Sequence, residues 1–528
     1  MQLSAGHHLG GTMLLRKKLA TGALALATLF TLTSCAGTGG GTLGSGSGGG
    51  DAPTKITVAA AQGIPQLNPA IRTFAWEEVL FPLLWNGLTE TSESGEIEGD
   101  LAEEWKVSDD QKTWTFTLRD GVTFSNGKAL TADDVVASFE YYLAPETSTQ
   151  EKTKIEAITS VKAVDERTVE FQLDAPTATF PAGIVWVKVM DMDSLDQIDK
   201  EPIGTGPYTV KAFTPDNSVT LVRNDDYFGD APALETITIE KAAESTAAVT
   251  GLRSGDIDVL WSVPQGDVAQ FEGDSAIELV RPENPSQWPS WEMDTTSAPF
   301  NDVRARQALA YAIDRDAILE AAYADQGHLA PTNNALGENN PWYGGKLADY
   351  SYDLDKAKEL FAAAGVTEGT TLTWWGVAGQ YPEWNTSAEI LQASLKEIGI
   401  TLKIENNDIG TWVEKFYPAG KNYPATIVPN FQSTPPEPAY SLNFYREGRC
   451  ECNWSNDDFE SAFDAAVGEP DEAARKTKWG EVQSIINREV PLIVPIQATV
   501  VTATNSSLDG VWVEGGGQLH LENAGFKG

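Results

Sequence analysis

The chain has 528 residues, of which 41% are hydrophobic, so it can bury a large core and should divide into about three domains. Its 37 basic residues stand against 76 acidic ones, and the resulting net charge of −39 excludes nucleic acid as a partner because such a surface repels phosphate. The chain contains only four histidines, so we expect no multi-histidine metal centre and no cofactor.

The first segment of the chain is typical of a secreted lipoprotein. Basic residues at 16–18 precede the apolar stretch 19–32, which is too short to span a membrane but suits a signal peptide. The stretch runs into LTSCA, which resembles a bacterial lipobox whose Cys35 receives the lipid. We therefore expect a signal peptide at 1–34, a lipidated Gly/Ser tether at 35–52 and a location on the extracytoplasmic face of the cell membrane. An ordinary secretory signal that happens to contain cysteine is the alternative.

Residues 55–528 alternate strand and helix signals, which predicts an α/β architecture. Apolar residues at every second position predict strands at 113–118 and 169–173. Thr131, with Asp134 three residues later, has the spacing of a capping box and predicts the start of a helix.

The clearest unit in the second half of the chain is a strand, a helix and a second strand. The first strand is predicted at 371–375, the helix ends at Gly399 and the second strand follows at 400–404. This spacing predicts a right-handed crossover and a parallel strand pair. A last long helix, with Trp479 on its apolar face, is predicted to close at Pro491.

Three blocks of sequence together resemble one protein family. They are LAEEWKVSDD with WTFTLRDGVTF (101–110 and 114–124), GTGPY with RNDDYFG (204–208 and 223–229), and PFNDVRARQAL (299–309). Their order and spacing resemble those of the family 5 solute-binding proteins, the peptide and nickel receptors of ABC importers.

The resemblance implies a two-lobed periplasmic-binding-protein fold of the large, cluster C type, with an extra domain inserted in the first lobe. It also implies a monomer that closes its lobes around a small solute and delivers it to an ABC permease in the membrane. Placed by block order, the first lobe comprises 53–86, 198–285 and 497–528, the extra domain 87–197, and the second lobe 286–496.

No catalytic arrangement is visible in the sequence, so we expect no enzyme and no catalytic residues. The chain contains no G-x-S-x-G, C-x-x-C or H-E-x-x-H motif, and carboxylate pairs such as Asp133 and Asp134 are typical of solvated helix starts. A secreted hydrolase would need a nucleophile and a base that this sequence does not show. Cys450 and Cys452 should oxidise outside the cell, and we predict a disulfide between them.

The 16 tryptophans are the most informative compositional excess. We predict that several stack on ligand: Trp261, Trp291, Trp374, Trp375 and Trp454. Trp374 and Trp375 end a predicted strand, so one of the two must leave its buried face. For each of these indoles, a place in the core is the alternative interpretation.

One departure from the family pattern bears on the ligand. Peptide receptors of the family carry an Asp that pairs with the peptide ammonium, and Thr434 stands at that place in the segment FQSTPPEP. Glu437 is the candidate replacement acid, and Phe431 and Gln432 are further candidate ligand contacts. An oligopeptide is the first substrate class, an oligosaccharide the second, and a metal chelate the third. The exact ligand, the permease, the redox state of the cysteines and a role in uptake or sensing stay open.

Overall fold

The structure is a computed structural model that describes residues 53–71, 75–149, 151–242, 245–283, 285–379, 381–416, 420–433 and 437–528. The expected signal peptide, lipidated Cys35 and tether lie outside these residues. The strands are β1 (Lys55–Ala60), β2 (Thr89–Thr91), β3 (Ile97–Gly99), β4 (Ala102–Val107), β5 (Thr113–Leu118), β6 (Ile158–Asp165), β7 (Thr168–Leu173), β8 (Tyr208–Thr214), β9 (Ser218–Arg223), β10 (Thr236–Lys241), β11 (Val259–Leu260), β12 (Ile277–Val280), β13 (Gln287–Met293), β14 (Gly327–Leu329), β15 (Thr371–Val377), β16 (Thr401–Asn407), β17 (Thr426–Ser433), β18 (Leu492–Ile493), β19 (Ile496–Ala498), β20 (Thr502–Asn505), β21 (Leu508–Asp509), β22 (Trp512–Val513), β23 (Leu519–His520) and β24 (Gly525–Phe526).

The α-helices are α1 (Phe81–Leu84), α2 (Ala132–Leu143), α3 (Lys152–Ile155), α4 (Phe180–Gly183), α5 (Ser245–Ser254), α6 (Val303–Tyr311), α7 (Arg315–Tyr323), α8 (Leu354–Ala363), α9 (Pro382–Glu397), α10 (Ile409–Phe416), α11 (Pro438–Ser441), α12 (Asp457–Val467) and α13 (Glu472–Glu489). Short 3-10 helices lie at Pro69–Ile71, Ala75–Leu80, Met192–Gln197, Gln265–Gln270 and Asn443–Tyr445. None of the helices in the described ranges combines the length and apolar character that crossing a bilayer requires.

The first lobe is built on a seven-stranded sheet of order β12-β20-β11-β1-β10-β9-β8. We call this part of the molecule lobe I. Its central strand β1 runs parallel to β10 and β11, whereas β9 and β20 run antiparallel to their neighbours. The strands of this sheet come from stretches that are far apart in the chain. The sheet of lobe I is therefore complete only when β20 has paired with β11 and β12.

The second lobe, lobe II, is built on a sheet of order β14-β19-β13-β17-β15-β16, with β18 also paired to β13. The predicted strand, helix and strand are confirmed as β15, α9 and β16, and Thr371 pairs with Thr401 in a parallel register. Gly399 follows α9 with a φ of 82°, a left-handed conformation that ends the helix. The predicted last helix is confirmed as α13, and Val490 ends it before Pro491.

A four-stranded antiparallel sheet of order β4-β5-β7-β6 forms the extra domain. The predicted strands at 113–118 and 169–173 are confirmed as β5 and β7, and in both strands every second side chain is buried. The capping box is confirmed at the start of α2, where the Thr131 amide donates to Asp134 Oδ2 at 2.9 Å.

The hydrophobic core shows how these parts are joined. One continuous core extends from Val58 and Trp85 in lobe I to Phe116 and Phe171 in the extra domain. Lobe II packs around two separate clusters of its own. The extra domain is therefore fused to lobe I, and the chain passes between the lobes at two places, between β12 and β13 and between β19 and β20.

Candidate ligand-binding cleft

The extra domain touches lobe II directly at the border of a cleft. The Ala178 amide donates to the Val467 carbonyl at 3.0 Å, and the Tyr440 hydroxyl donates to the Thr179 carbonyl at 3.1 Å. Arg449 of lobe II forms an ion pair with Glu156 of the extra domain. The two sides of the molecule are thus held together by contacts that a separation of the lobes would break.

Beside these contacts lies a cleft of about 730 Å³, a size that suits a small ligand. One wall is formed by α3 and the segment before α4, and the other by α11, the 3-10 helix Asn443–Tyr445 and α12. The lining residues are Thr153, Lys154, Glu156, Ala157, Asp174, Ala175, Pro176, Thr177, Thr179, Ala439, Tyr440, Asn443, Arg446, Phe463, Asp464, Ala465, Val467 and Gly468.

A second, smaller cavity of about 60 Å³ lies on the lobe I side, and we call it the acidic chamber. Its lining comes from the segment around β2, the segment after α4 and the segment that includes β23. The lining residues are Pro82, Asn86, Glu90, Thr91, Asp100, Val185, Trp186, Lys188, Tyr227, Glu514, Gln518, His520 and Glu522.

Burial controls the ionisation of the groups in the acidic chamber. Burial and, to a smaller extent, the neighbouring Glu90 raise the pKa of Asp100 to about 8, although Lys188 opposes the shift. Burial raises the pKa of Glu514 and lowers the pKa of Lys188. Burial acts to raise the pKa of Glu522, but attraction to His520 and the hydrogen bonds from His520 and the backbone together lower it below its ordinary value. The chamber therefore holds charge at a cost, and its ionisation responds to whatever enters it.

The connection between the lobes lies next to the acidic chamber. The Ser286 amide donates to the Gly515 carbonyl at 2.9 Å, and Gln287 Nε2 donates to the Gly516 carbonyl at 2.8 Å. Trp261, one of the predicted stacking residues, is buried and donates its indole N–H to the Gly517 carbonyl at 3.0 Å. This hydrogen bond holds the segment 514–522, which lines the chamber, against the end of β11.

The structure places the predicted tryptophans of lobe II mainly in its core. Trp291 and Trp374 are 1% and 0% exposed, and their rings meet edge to face at 5.1 Å. Trp454 is also buried and packs against Phe459 at 5.0 Å. Trp375 is the partner that leaves the buried face, and Lys415 lies 5.2 Å above its ring. None of these indoles lines any of the cavities described above.

The segment expected to recognise a peptide end lies at the end of β17. Phe431 is exposed, and the Gln432 amide lies 3.5 Å from Ser290 Oγ. Thr434 lies outside the described residues. Burial raises the pKa of Glu437 to about 7, and Arg475 opposes the shift. Glu437 comes directly before α11, two residues from the cleft wall at Ala439.

The structure joins Cys450 and Cys452 by a disulfide, with 5.1 Å between their Cα atoms. Both residues are buried within the aromatic core of lobe II, and the Thr295 amide donates to the Cys452 carbonyl at 2.9 Å. The disulfide therefore fixes a turn that packs against the end of β13.

The residues that line the acidic chamber form no recognisable pattern in the sequence. Lys188 is a lone lysine within the apolar run IVWVKVM, and that is the one local signal that a charge is buried there. Asp100 and His520 carry no such signal, since they meet only through the tertiary fold.

Comparison with known proteins agrees with this architecture. Residues 96–450 match the sequence profile of the bacterial extracellular solute-binding proteins, family 5 Middle. The dipeptide-binding protein of Escherichia coli (strain K12) is 27% identical over 516 residues, which cover 90% of this chain and 95% of that protein.

Two solved structures share the fold. The ABC transporter substrate-binding protein CtaP from Listeria monocytogenes has a TM-score of 0.81 at 23% identity, covering 90% of this chain and all of that one. A dipeptide-binding protein from Pseudoalteromonas sp. SM9913, solved with Met-Leu, has a TM-score of 0.77 at 23% identity and the same coverage. With its α/β architecture and two lobes, this chain belongs to the bacterial extracellular solute-binding proteins of family 5.

Proposed function

We propose that this chain is a lipid-anchored extracytoplasmic receptor that captures oligopeptides between its lobes and delivers them to an ABC permease. The observation that carries the proposal is the cleft of about 730 Å³, bordered by contacts that join the extra domain to lobe II. A peptide ligand is supported by the dipeptide-binding relative, which matches along nearly the whole chain.

Ligand capture is tested with the purified full-length protein. Mass spectrometry of the protein as isolated should detect a retained peptide, and added peptide should raise the melting temperature because only the folded form binds it. Small-angle scattering should show a smaller radius of gyration with peptide than without it, as hinge closure requires. Conversion of a bound solute into product would contradict a purely binding role.

Lipid anchoring is tested at Cys35. Cys35→Ala should abolish diacylglyceryl attachment and release the protein from the membrane fraction. Ser34→Ala is the matched control, since it keeps a small residue at the same site and should keep the lipid. Detection of the lipid on Cys35→Ala would contradict the assignment. Delivery to a permease predicts that cells lacking the receptor lose uptake of the retained peptide.

An oligosaccharide is the second candidate ligand, and the partly exposed ring of Trp375 favours it. Calorimetry against a peptide pool and an oligosaccharide pool separates the two classes. If peptides bind through Glu437, then Glu437→Gln should weaken them by about tenfold. If sugars bind, Trp375→Ala should lose most of the affinity and Glu437→Gln should have little effect.

A further inference from the structure

The acidic chamber contains more negative than positive groups. Four carboxylates, from Glu90, Asp100, Glu514 and Glu522, line it together with a single ammonium, from Lys188. Glu90 lies at its exposed edge, whereas Asp100, Lys188 and Glu514 are each 6–7% exposed. Ionising such an excess of buried carboxyl groups is unfavourable unless a cation offsets the charge.

Part of this charge has a structural explanation. Asp100 accepts hydrogen bonds from Asn86 Nδ2 at 2.7 Å and from the Gly87 amide at 2.8 Å. Glu522 accepts from the Leu521 amide at 3.0 Å. Glu514 has no side-chain hydrogen bond to any of the described residues. Its carboxylate is thus the least committed of the three to holding the fold together.

Two further polar atoms at the chamber have no partner among the described residues. They are Gln518 Oε1 and His520 Nε2, on side chains that are 6% and 7% exposed. The His520 ring stacks on Trp512 at 3.6 Å, and its Nδ1 lies 3.0 Å from Glu522 Oε1. When Nδ1 donates to that carboxylate, the neutral ring presents an acceptor at Nε2. A buried acceptor without a donor is costly, so Gln518 Oε1 points to a missing donor, and His520 Nε2 does the same in the neutral form of the ring.

The dimensions of the chamber limit what can enter. A volume of about 60 Å³ holds roughly two water molecules, which is enough for an ammonium or guanidinium group but not for a whole peptide. Trp186 lines the chamber, and Lys154, which lines the main cleft, lies 5.2 Å above its ring. A ligand in the cleft is therefore one aromatic side chain away from the chamber.

We propose that the acidic chamber is a subsite that binds a cationic head group of the ligand, an ammonium or a guanidinium, between Glu514, Gln518 and His520. The proposal rests on the proposed function, because the head group belongs to a peptide in the cleft. Carboxylates and unpaired acceptors supply what a cation with several N–H donors requires. Lys188 lies beside the same carboxyl groups, so its ammonium competes with the ligand's cation for them.

The test uses calorimetry on the full-length protein with four peptides that differ in which cationic groups they carry. Ala-Lys has an α-ammonium and a side-chain ammonium, Ala-norleucine has only the first, N-acetyl-Ala-Lys has only the second, and N-acetyl-Ala-norleucine has neither. We expect the cation that occupies the chamber to improve affinity by about tenfold. A loss on acetylation identifies the α-ammonium as that cation, and a loss on replacing lysine by norleucine identifies the side-chain ammonium.

Three variants decide whether the chamber is responsible. The cationic advantage is the ratio of the affinity of a peptide that carries the cation to that of the matched peptide without it. Glu514→Gln keeps the shape of the side chain and should reduce this cationic advantage at least about threefold. Lys188→Met removes the competing charge and should increase the advantage, an opposite change that misfolding does not produce. Glu278→Gln is the matched control, since Glu278 is exposed, pairs with Lys527 and does not line the chamber.

The outcomes separate the two proposals. A cationic advantage that Glu514→Gln reduces and Lys188→Met increases supports the subsite. Peptide binding with an advantage that neither variant changes overturns the subsite and leaves the receptor function standing. Failure of all four peptides to bind the unmodified protein overturns the peptide receptor and the subsite together.

Discussion

The two lobes bury positive charge in different ways. In lobe II, Arg306 donates to three backbone carbonyls, at Phe300, Glu489 and Val490, over 2.7–3.0 Å. On the other side, in the extra domain that shares its core with lobe I, Lys188 is as deeply buried, but it lies at the edge of a cavity and forms no ion pair within 4.0 Å with any described residue. A buried cation that saturates backbone acceptors holds the fold together, whereas Lys188 makes no such bonds and acts instead on the charge of the neighbouring chamber.

Replacing each of the two cations by methionine tests most directly whether they have different roles. Arg306→Met leaves buried carbonyls without donors and should lower the free energy of unfolding by about 3–5 kcal/mol. Lys188→Met should change it by less than about 1 kcal/mol, because the side chain loses no short contact and burial of the charge was itself unfavourable. Urea unfolding measures both values. Equal losses from the two variants would refute the distinction.

The buried tryptophans of lobe II provide the next largest effect. Trp374→Ala removes a fully buried indole and its contact with Trp291, and should cost about 3 kcal/mol of stability. Trp375→Ala is the matched control on the same strand, and its partly exposed ring predicts a smaller loss. If Trp374→Ala instead unfolds like the unmodified protein but no longer binds ligand, the indole is a stacking residue after all.

A buried carboxyl in each lobe makes stability depend on pH. Burial raises the pKa of Asp100 and of Glu292 to about 8. Between about pH 4 and pH 8 the folded protein therefore retains protons that the unfolded chain has lost, so stability should fall as pH rises through this window.

Glu292 is the simpler of the two carboxyls to test. It is fully buried and accepts from Asn430 Nδ2 at 3.1 Å, a bond that glutamine can also accept. From pH 5 to pH 8, Glu292→Gln should lose about 3 kcal/mol less stability than the unmodified protein, since over most of this range the folded protein holds one proton more than the unfolded chain and each pH unit then costs about 1.4 kcal/mol. Parallel stability curves for the two proteins would show that Glu292 does not titrate in this range.

The smallest expected effect concerns the contact between the two sides of the cleft. Tyr440→Phe removes the hydroxyl that donates to Thr179 and should shift the equilibrium towards the open form by about 1 kcal/mol. Tyr445→Phe is the control, because the buried Tyr445 hydroxyl has no partner among the described residues. Small-angle scattering without ligand should show a larger radius of gyration for the first variant only. Identical radii would mean that this bond does not hold the cleft closed.

The sequence predicted the parts of the fold whose signals are local. The alternation in β5, the capping box at Thr131 and the glycine after α9 each lie within a few residues, and each is confirmed. The tryptophans were ambiguous because an indole that stacks on ligand and one that fills a core have the same local sequence. The chamber residues could not be predicted, since Asp100 and His520 meet only after lobe I has assembled.

The chamber's construction from distant segments has a consequence for how the protein acquires its binding ability. Residues 86–100 and 514–522 come from opposite ends of the described chain and must close a very long loop before they meet. Contacts of such high sequence separation form slowly, so this corner of lobe I should be among the last to be completed during refolding. Selectivity for charge would then appear later than compactness. A stopped-flow refolding experiment would detect a collapsed intermediate with native-like secondary structure that cannot yet distinguish a lysine side chain from a norleucine one.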